Sequence, residues 1–167
     1  GTHGTAEEIL FEKNKISNVK SGFLIRGYNI KIDSNKLFDF MEMAISQSYG
    51  ENIYISNNSY MLNNLASSNN NQTHSYLREF LRIGSNVAKG NRIEIINNNI
   101  AAIRGNFVYI IGTNNLRKLL IKDNIITFKA KSTNDLVSLI RSELDLGSIN
   151  LKDNNNSIIT KKGIFKY

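Results

Sequence analysis

Apolar residues recur at the spacing of an α-helix in four segments of the chain. The clearest is 75–89, where apolar side chains three and four positions apart would line one face. Thr73 is suited to cap its start, and Gly90 fits the left-handed position that ends many helices. The same spacing predicts further helices over 7–16, 37–47 and 135–144.

Short Ile-rich runs between these segments predict β-strands at 23–25, 28–32, 52–56, 92–96, 100–111 and 125–129. A helix, a glycine and then a strand over 75–96 form the αβ half of a βαβ unit. The pattern therefore predicts an α/β fold, with a mixed sheet flanked by helices. We expect one domain over 1–167, with 1–35 as a candidate peripheral N-terminal extension. No internal repeat of 20–50 residues is recognised, and Asn- and Ser-rich stretches are interpreted as loops.

The amino-acid composition excludes several kinds of chemical site. The chain has no cysteine and only two histidines, His3 and His74. Disulfides, thiol nucleophiles, Cys-ligated zinc and a multi-histidine metal site are therefore not expected. No apolar run reaches the ~18 residues of a membrane span, and no signal peptide is recognised. We predict a cytoplasmic protein without a metal or cofactor, and an enzymatic role is not favoured.

The net charge of +7 permits an anionic partner. The basic residues are spread along the chain, but Arg78 and Arg82 lie one turn apart on the predicted helix, and Arg117, Lys118 and Lys122 follow a glycine turn. Nucleic-acid binding through a basic surface is therefore one functional hypothesis. A second basic group, Lys161, Lys162 and Lys166, lies near the end of the chain.

Asparagine is unusually frequent, with 26 residues, and is interpreted mainly as coding bias because most of it falls in predicted loops and turns. Some of it lies where predicted strands end. Open α/β sheets bind ligands beyond the carboxyl ends of their strands. The order of the predicted strands and the string at 112–115 therefore predict a small-ligand site where the strands end, with five members: Ser56, Asn57, Asn97, Thr113 and Asn115.

The string Gly112-Thr113-Asn114-Asn115, between predicted strands and followed by a strand and a helix, resembles the G-[ST]-x-N string of phospholipase D-like domains. The resemblance covers about 51–145. The positions that match the family's catalytic H-x-K-x4-D hold Asn98, Ile100 and Gly105. The resemblance therefore implies a degenerate, non-catalytic module that senses a ligand or dimerises, as the regulatory domain of a longer protein acting in transcription.

A rival resemblance involves the N-terminal half. His3-Gly4-Thr5 is similar to the opening motif of diphtheria-toxin-type ADP-ribosyltransferases, and Gly50-x-x-x-Tyr54-Ile55-Ser56 is similar to their second motif. It implies that His3 holds the NAD ribose and that Tyr54 stacks on nicotinamide. The strand expected before the histidine and a catalytic Glu at the head of a later strand are not found. An NAD-dependent transferase is therefore the alternative function.

Overall fold

The computed structural model describes residues 6–17, 19–38, 43–61, 77–84, 91–111, 116–128, 138–142, 150–160 and 163–166. Within these ranges every regular element is a β-strand. In chain order the strands are β1 (Ala6–Glu7), β2 (Leu10–Glu12), β3 (Lys15–Ser17), β4 (Ser21–Asp33), β5 (Lys36–Phe38), β6 (Met43–Ser56), β7 (Ser59–Met61), β8 (Leu77–Ile83), β9 (Asn91–Ile96), β10 (Asn99–Ile110), β11 (Leu116–Lys122), β12 (Ile125–Phe128), β13 (Ser138–Ser142), β14 (Asn150–Asn154), β15 (Ser157–Thr160) and β16 (Gly163–Lys166).

The strands stack in parallel to form three sheets. Sheet A contains the first part of β4 and of β6, β8, the last part of β10, and β13, and β1 pairs with β4 at the corner between sheets A and B. Sheet B contains β2, the last part of β4 and of β6, β9, β11 and β14. Sheet C contains β3, β5, β7, the first part of β10, β12 and β15. Among the described strands, only β16 pairs antiparallel, with β15.

The chain therefore winds from sheet A to sheet B to sheet C in six stacked passages, each called a coil, and coil 1 is described from the corner between sheets A and B onward. The described parts of the six coils are 6–17, 21–38, 43–61, 77–84 with 91–101, 103–111 with 116–128, and 138–142 with 150–160. This arrangement is a parallel β-solenoid, in which each coil packs only on its neighbours. The strands β4, β6 and β10 are long because each continues around a corner from one sheet into the next.

The core consists of like side chains stacked in register from coil to coil. On sheet B, Ile32, Ile55, Ile95 and Ile121 form one column, and all four are fully buried. Sheet C contributes a second column that includes Tyr60, Ile100 and Ile126. β-Branched residues suit this packing because their side chains fit the pleated surface of a sheet.

Corners require backbone conformations that few residues adopt. Between sheets B and C the turn residue is left-handed in every coil, at Lys13, Ser34, Asn57, Asn97, Asp123 and Asn155. Asparagine and aspartate tolerate this conformation better than most residues do. Between sheets A and B of coils 2 and 3, Gly27 and Gly50 have φ of 148° and 125°. A Cβ on Gly50 would lie 1.7 Å from the carbonyl oxygen of Gly27, so this corner needs glycine.

The predicted helix-flanked α/β fold is wrong, because the described chain is almost entirely strand and contains no helix. The predicted helix over 75–89 includes β8, and 37–47 overlaps β5 and the start of β6. The segment 7–16 likewise overlaps β1 to β3, and 135–144 contains β13. The expectation that no repeat exists is also contradicted by the stacked coils.

The corners of the solenoid explain why strands were predicted as helices. At the start of sheet A, Phe80 and Leu81 are adjacent in sequence, yet both are fully buried. Phe107 and Val108 repeat this in the next coil. Paired apolar neighbours break the two-residue alternation of a strand and produce spacings of three and four, as in a helix. The strands predicted at 52–56, 92–96 and 125–129 agree with β6, β9 and β12.

Within the described part of the chain, no helix is long and apolar enough to cross a membrane. The cytoplasmic location stays a prediction.

Candidate functional site

An inner row of asparagine side chains follows the corner between sheets B and C through all six coils. Each asparagine comes directly after the left-handed turn residue. The row consists of Asn14, Asn35, Asn58, Asn98, Asn124 and Asn156. In each step, the backbone N–H and Nδ2 of one asparagine both donate to Oδ1 of the asparagine in the next coil, at 2.9–3.0 Å.

The inner row satisfies buried polar groups that the turns would otherwise leave unpaired. Asn58 Nδ2, for example, also donates to the carbonyl oxygen of Ile32 at 3.0 Å. The last five members are 0–1% exposed, so the bonds between them form away from water. Unpaired buried amides are costly, so these turns specify asparagine rather than any polar residue.

An outer row of polar side chains runs beside the inner row. Asp33 accepts hydrogen bonds from Ser56 Oγ at 2.5 Å, from Asn57 Nδ2 at 2.8 Å and from Ser34 Oγ at 3.0 Å. Asn97 Nδ2 donates to Asn57 Oδ1 at 2.7 Å. Burial raises the pKa of Asp33, but these donors and the charge of Lys31 outweigh it and hold the pKa below its usual value.

Three members of the predicted ligand site therefore lie together. Ser56, Asn57 and Asn97 are at one corner of coils 3 and 4 and are joined to one another directly or through Asp33. Thr113 and Asn115 lie outside the described residues. The polar atoms of these three residues are hydrogen-bonded along the corner, either to one another or to Asp33. Ligand binding at this corner stays a prediction. His3 lies outside the described residues, and Tyr54 is on the outer face of sheet B.

The outer face of sheet A presents a row of alternating guanidinium and phenol groups in coils 4 to 6. Arg82, Tyr109 and Arg141 are in register on β8, β10 and β13. The guanidinium carbons of Arg82 and Arg141 lie 5.8 and 5.1 Å from the centre of the Tyr109 ring. Arg82 Nε also pairs with Oε2 of the buried Glu79 at 2.6 Å. We call Arg82, Tyr109 and Arg141 the arginine–tyrosine row.

A second charged group lies on the outer face of sheet B in coils 4 and 5. Arg92 Nε donates to Glu94 Oε1 at 2.7 Å, and Lys118 Nζ lies 3.8 Å from the same oxygen. Glu94 is only 9% exposed although it is on the outer face. Its hydrogen bond and its negative charge raise the pKa of Arg92.

The two halves of the chain differ in charge. Residues 1–61 contain six basic and seven acidic residues, whereas 62–167 contain fifteen basic and seven acidic residues. The surplus therefore lies after residue 61, in the part of the chain that contains the described strands of coils 4 to 6. Exposed examples are Arg117, Lys122, Arg141 and Lys152. Among the described residues, no group of three or more His, Cys, Asp or Glu side chains could hold a metal ion.

The sequence analysis identified some of the basic residues on the outer faces of coils 4 and 5. It singled out Arg82, Lys118 and Lys122, but it placed Arg82 on a helix. It missed Tyr109, Arg141 and the inner row. One signal was available: a Lys, Ser, Asn or Asp before an Asn recurs between short apolar runs.

Comparison with known proteins finds no match to a family model, a curated protein or a solved structure. The resemblances to phospholipase D-like domains and to ADP-ribosyltransferases therefore stay predictions.

Proposed function

We propose that the chain is a β-solenoid binding module that holds an anionic polysaccharide against the basic outer faces of coils 4 to 6. The observation that carries this proposal is the arginine–tyrosine row, which repeats in register on three successive coils. The helix-flanked fold on which the phospholipase D-like regulatory role depended is wrong. The proposal accordingly depends on the described surface alone.

The row orients its guanidinium groups for binding an anion. The Arg141 guanidinium carbon lies 5.1 Å from the centre of the Tyr109 ring, a cation–π contact that holds the group beside the ring. Arg141 is exposed, and its N–H groups have no hydrogen-bond partner among the described residues. Adjacent strands lie ~4.8 Å apart, so Arg82 and Arg141 are roughly 10 Å apart along the solenoid. A linear polymer with regularly spaced carboxylate or sulfate groups can contact both positions.

A polysaccharide fits this surface better than a nucleic acid does. Proteins that bind single strands stack bases on exposed aromatic rings, and guanidinium groups already lie against the Tyr109 ring on both sides. Sequence readout of a duplex requires an element that enters a groove, whereas the described outer faces are sheets.

Binding can be measured by isothermal titration with four polymers of similar length: a sulfated glycan, a polyuronate, a neutral glucan and single-stranded DNA. We expect the charged glycans to bind, with affinity that falls as salt rises. Arg141→Gln should weaken this binding about tenfold or more, because a hydrogen bond to a charged group is lost. Lys36→Gln is the matched control, since Lys36 is exposed on sheet C of coil 2.

Three results would reject the proposal. One is the absence of binding to both charged glycans, and another is an equal loss of affinity in Arg141→Gln and Lys36→Gln. The third is tighter binding of DNA than of the glycans, which would favour the nucleic-acid hypothesis instead.

A further inference from the structure

The three coils that carry the arginine–tyrosine row differ at one neighbouring position. Three residues before each member of the row, Glu79, Asn106 and Ser138 are in register on β8, β10 and β13. We call this the flanking position. Its side chain changes from an acid in coil 4 to an amide in coil 5 and a hydroxyl in coil 6, so the surroundings of the row change from coil to coil.

In coil 4 the flanking acid pairs with the arginine of the same strand. Glu79 Oε2 accepts a hydrogen bond from Arg82 Nε at 2.6 Å, and the Glu79 side chain is only 2% exposed. The pair shows that a carboxylate at the flanking position reaches the guanidinium group of its own coil. Because the charge of Glu79 offsets that of Arg82, coil 4 already contains the carboxylate that its arginine binds.

In coil 6 the equivalent arginine, Arg141, has a serine at the flanking position. Ser138 is shorter than glutamate and uncharged, and its Oγ donates to Asn106 Oδ1 at 2.7 Å. This bond uses the amide oxygen of Asn106, while its Nδ2 makes no hydrogen bond among the described residues. Arg141 is exposed and makes no ion pair within the described part of the chain. Coil 6 therefore has the cation of the coil 4 pair, with an amide donor on the adjacent strand, but lacks the carboxylate.

We propose that Arg141, Asn106 and Ser138 form a subsite for the carboxylate of a uronic acid, which takes the place that the Glu79 carboxylate occupies in coil 4. This inference rests on the proposed function and narrows its ligand from an anionic polysaccharide to a polyuronate. Arg141 donates N–H groups to the carboxylate oxygens, as Arg82 does to Glu79, and Asn106 Nδ2 donates a further hydrogen bond. Ser138 leaves room for the ligand and orients the amide of Asn106.

A comparison of glycans on the parent chain tests the class of ligand. A polyuronate and a sulfated glycan of equal length and charge are titrated calorimetrically, with a neutral glucan as the blank. We expect the polyuronate to bind about threefold or more tightly than the sulfated glycan, because a planar carboxylate matches the group that Arg82 binds in coil 4. Equal or tighter binding of the sulfated glycan would overturn the carboxylate subsite and leave the proposed function standing. If neither charged glycan binds, the proposed function fails and the subsite fails with it.

The substitution Ser138→Glu tests the location of the subsite, because it gives coil 6 the flanking acid of coil 4. We expect it to weaken polyuronate binding about tenfold or more. Adding Arg141→Gln to this variant should cause little further loss, since the arginine is already paired. The control is Ser157→Glu, which makes the same change of charge at another half-buried serine of coil 6, on sheet C. It should change the affinity by less than about twofold, because salt screens charges on separate faces.

Two results with these variants would overturn the subsite. One is an equal loss of affinity in Ser138→Glu and Ser157→Glu, which would indicate an effect of net charge alone. The other is a full additional loss when Arg141→Gln is combined with Ser138→Glu, which would show that the two positions act independently. Thermal unfolding shows whether each variant folds. If Ser138→Glu does not fold, the comparison of glycans on the parent chain decides the proposal.

Discussion

The inner row of asparagines makes a sharp prediction for Asn98→Ala. Asn98 lies in the middle of the row and is 1% exposed. Its Oδ1 accepts from the backbone N–H of Asn58 at 2.9 Å and from Asn58 Nδ2 at 3.0 Å. Its own Nδ2 donates to Asn124 Oδ1 at 3.0 Å and to the carbonyl oxygen of Ile55 at 3.1 Å.

Alanine at this position removes all of these bonds and leaves two buried donors of Asn58 without an acceptor. A buried donor left unpaired costs about 1–3 kcal/mol. The two donors together predict a loss of about 2–6 kcal/mol in the free energy of unfolding. For a chain of this length that corresponds to a fall in Tm of roughly 4–24 °C.

The control is Asn99→Ala, one residue further along the same corner. The Asn99 side chain is exposed, and it makes no hydrogen bond among the described residues. We expect Asn99→Ala to change stability by less than about 0.5 kcal/mol. Urea unfolding gives the global value, and hydrogen exchange of the Asn58 amide gives the local one. If Asn98→Ala costs no more than Asn99→Ala, the inner row does not stabilise the solenoid as described.

Three further predictions concern single side chains. Because the pKa of Asp33 is lowered in the folded chain, its contribution is present above the unfolded pKa of ~3.9 and is lost as pH falls through the folded value; Asp33→Asn should lose less stability on acidification. Gly50→Ala should destabilise the chain by several kcal/mol or prevent folding, because the new Cβ would overlap a carbonyl oxygen of the preceding coil. Phe107→Ala should cost about 3–5 kcal/mol, since Phe107 is fully buried and stacked on Phe80 with ring centres 5.1 Å apart; Leu24→Ala, at a residue 75% exposed, is its control.

Each of these predictions can fail in a distinct way. If Asp33→Asn and the parent lose the same stability as pH falls, the Asp33 carboxylate makes no contribution to stability that depends on pH. Normal urea unfolding of Gly50→Ala would show that the corner can open. Equal effects of Phe107→Ala and Leu24→Ala would place Phe107 outside the core.

The amino-acid sequence determined much of the local structure. The Ile-rich runs at 52–56, 92–96 and 125–129 identify strands because β-branched residues favour extended backbone. The Asn-rich stretch after the predicted strand 92–96 is a true corner, with Asn97 in the left-handed conformation. The surplus of basic residues after residue 61 is likewise readable without a structure.

Tertiary structure decided how the strands pair. The inner row links Asn58 to Asn98 and Asn98 to Asn124, which are 40 and 26 residues apart. The number of residues between successive asparagines of the inner row therefore varies from coil to coil. Because this spacing is unequal, the repeat is hidden in the sequence, and the asparagines were interpreted as coding bias.

The distinction between helix and strand also depended on neighbouring coils. Phe80 and Leu81 are both buried because the chain turns a corner between two sheets, and Phe107 and Val108 of the next coil stack on them. The spacing of apolar residues in one segment could not reveal the corner. A corner of the solenoid and one face of a helix both bury residues that are three and four positions apart. The sequence therefore sets which residues avoid water and where the chain turns. Contacts between coils, which are distant in sequence, set what those residues pack against.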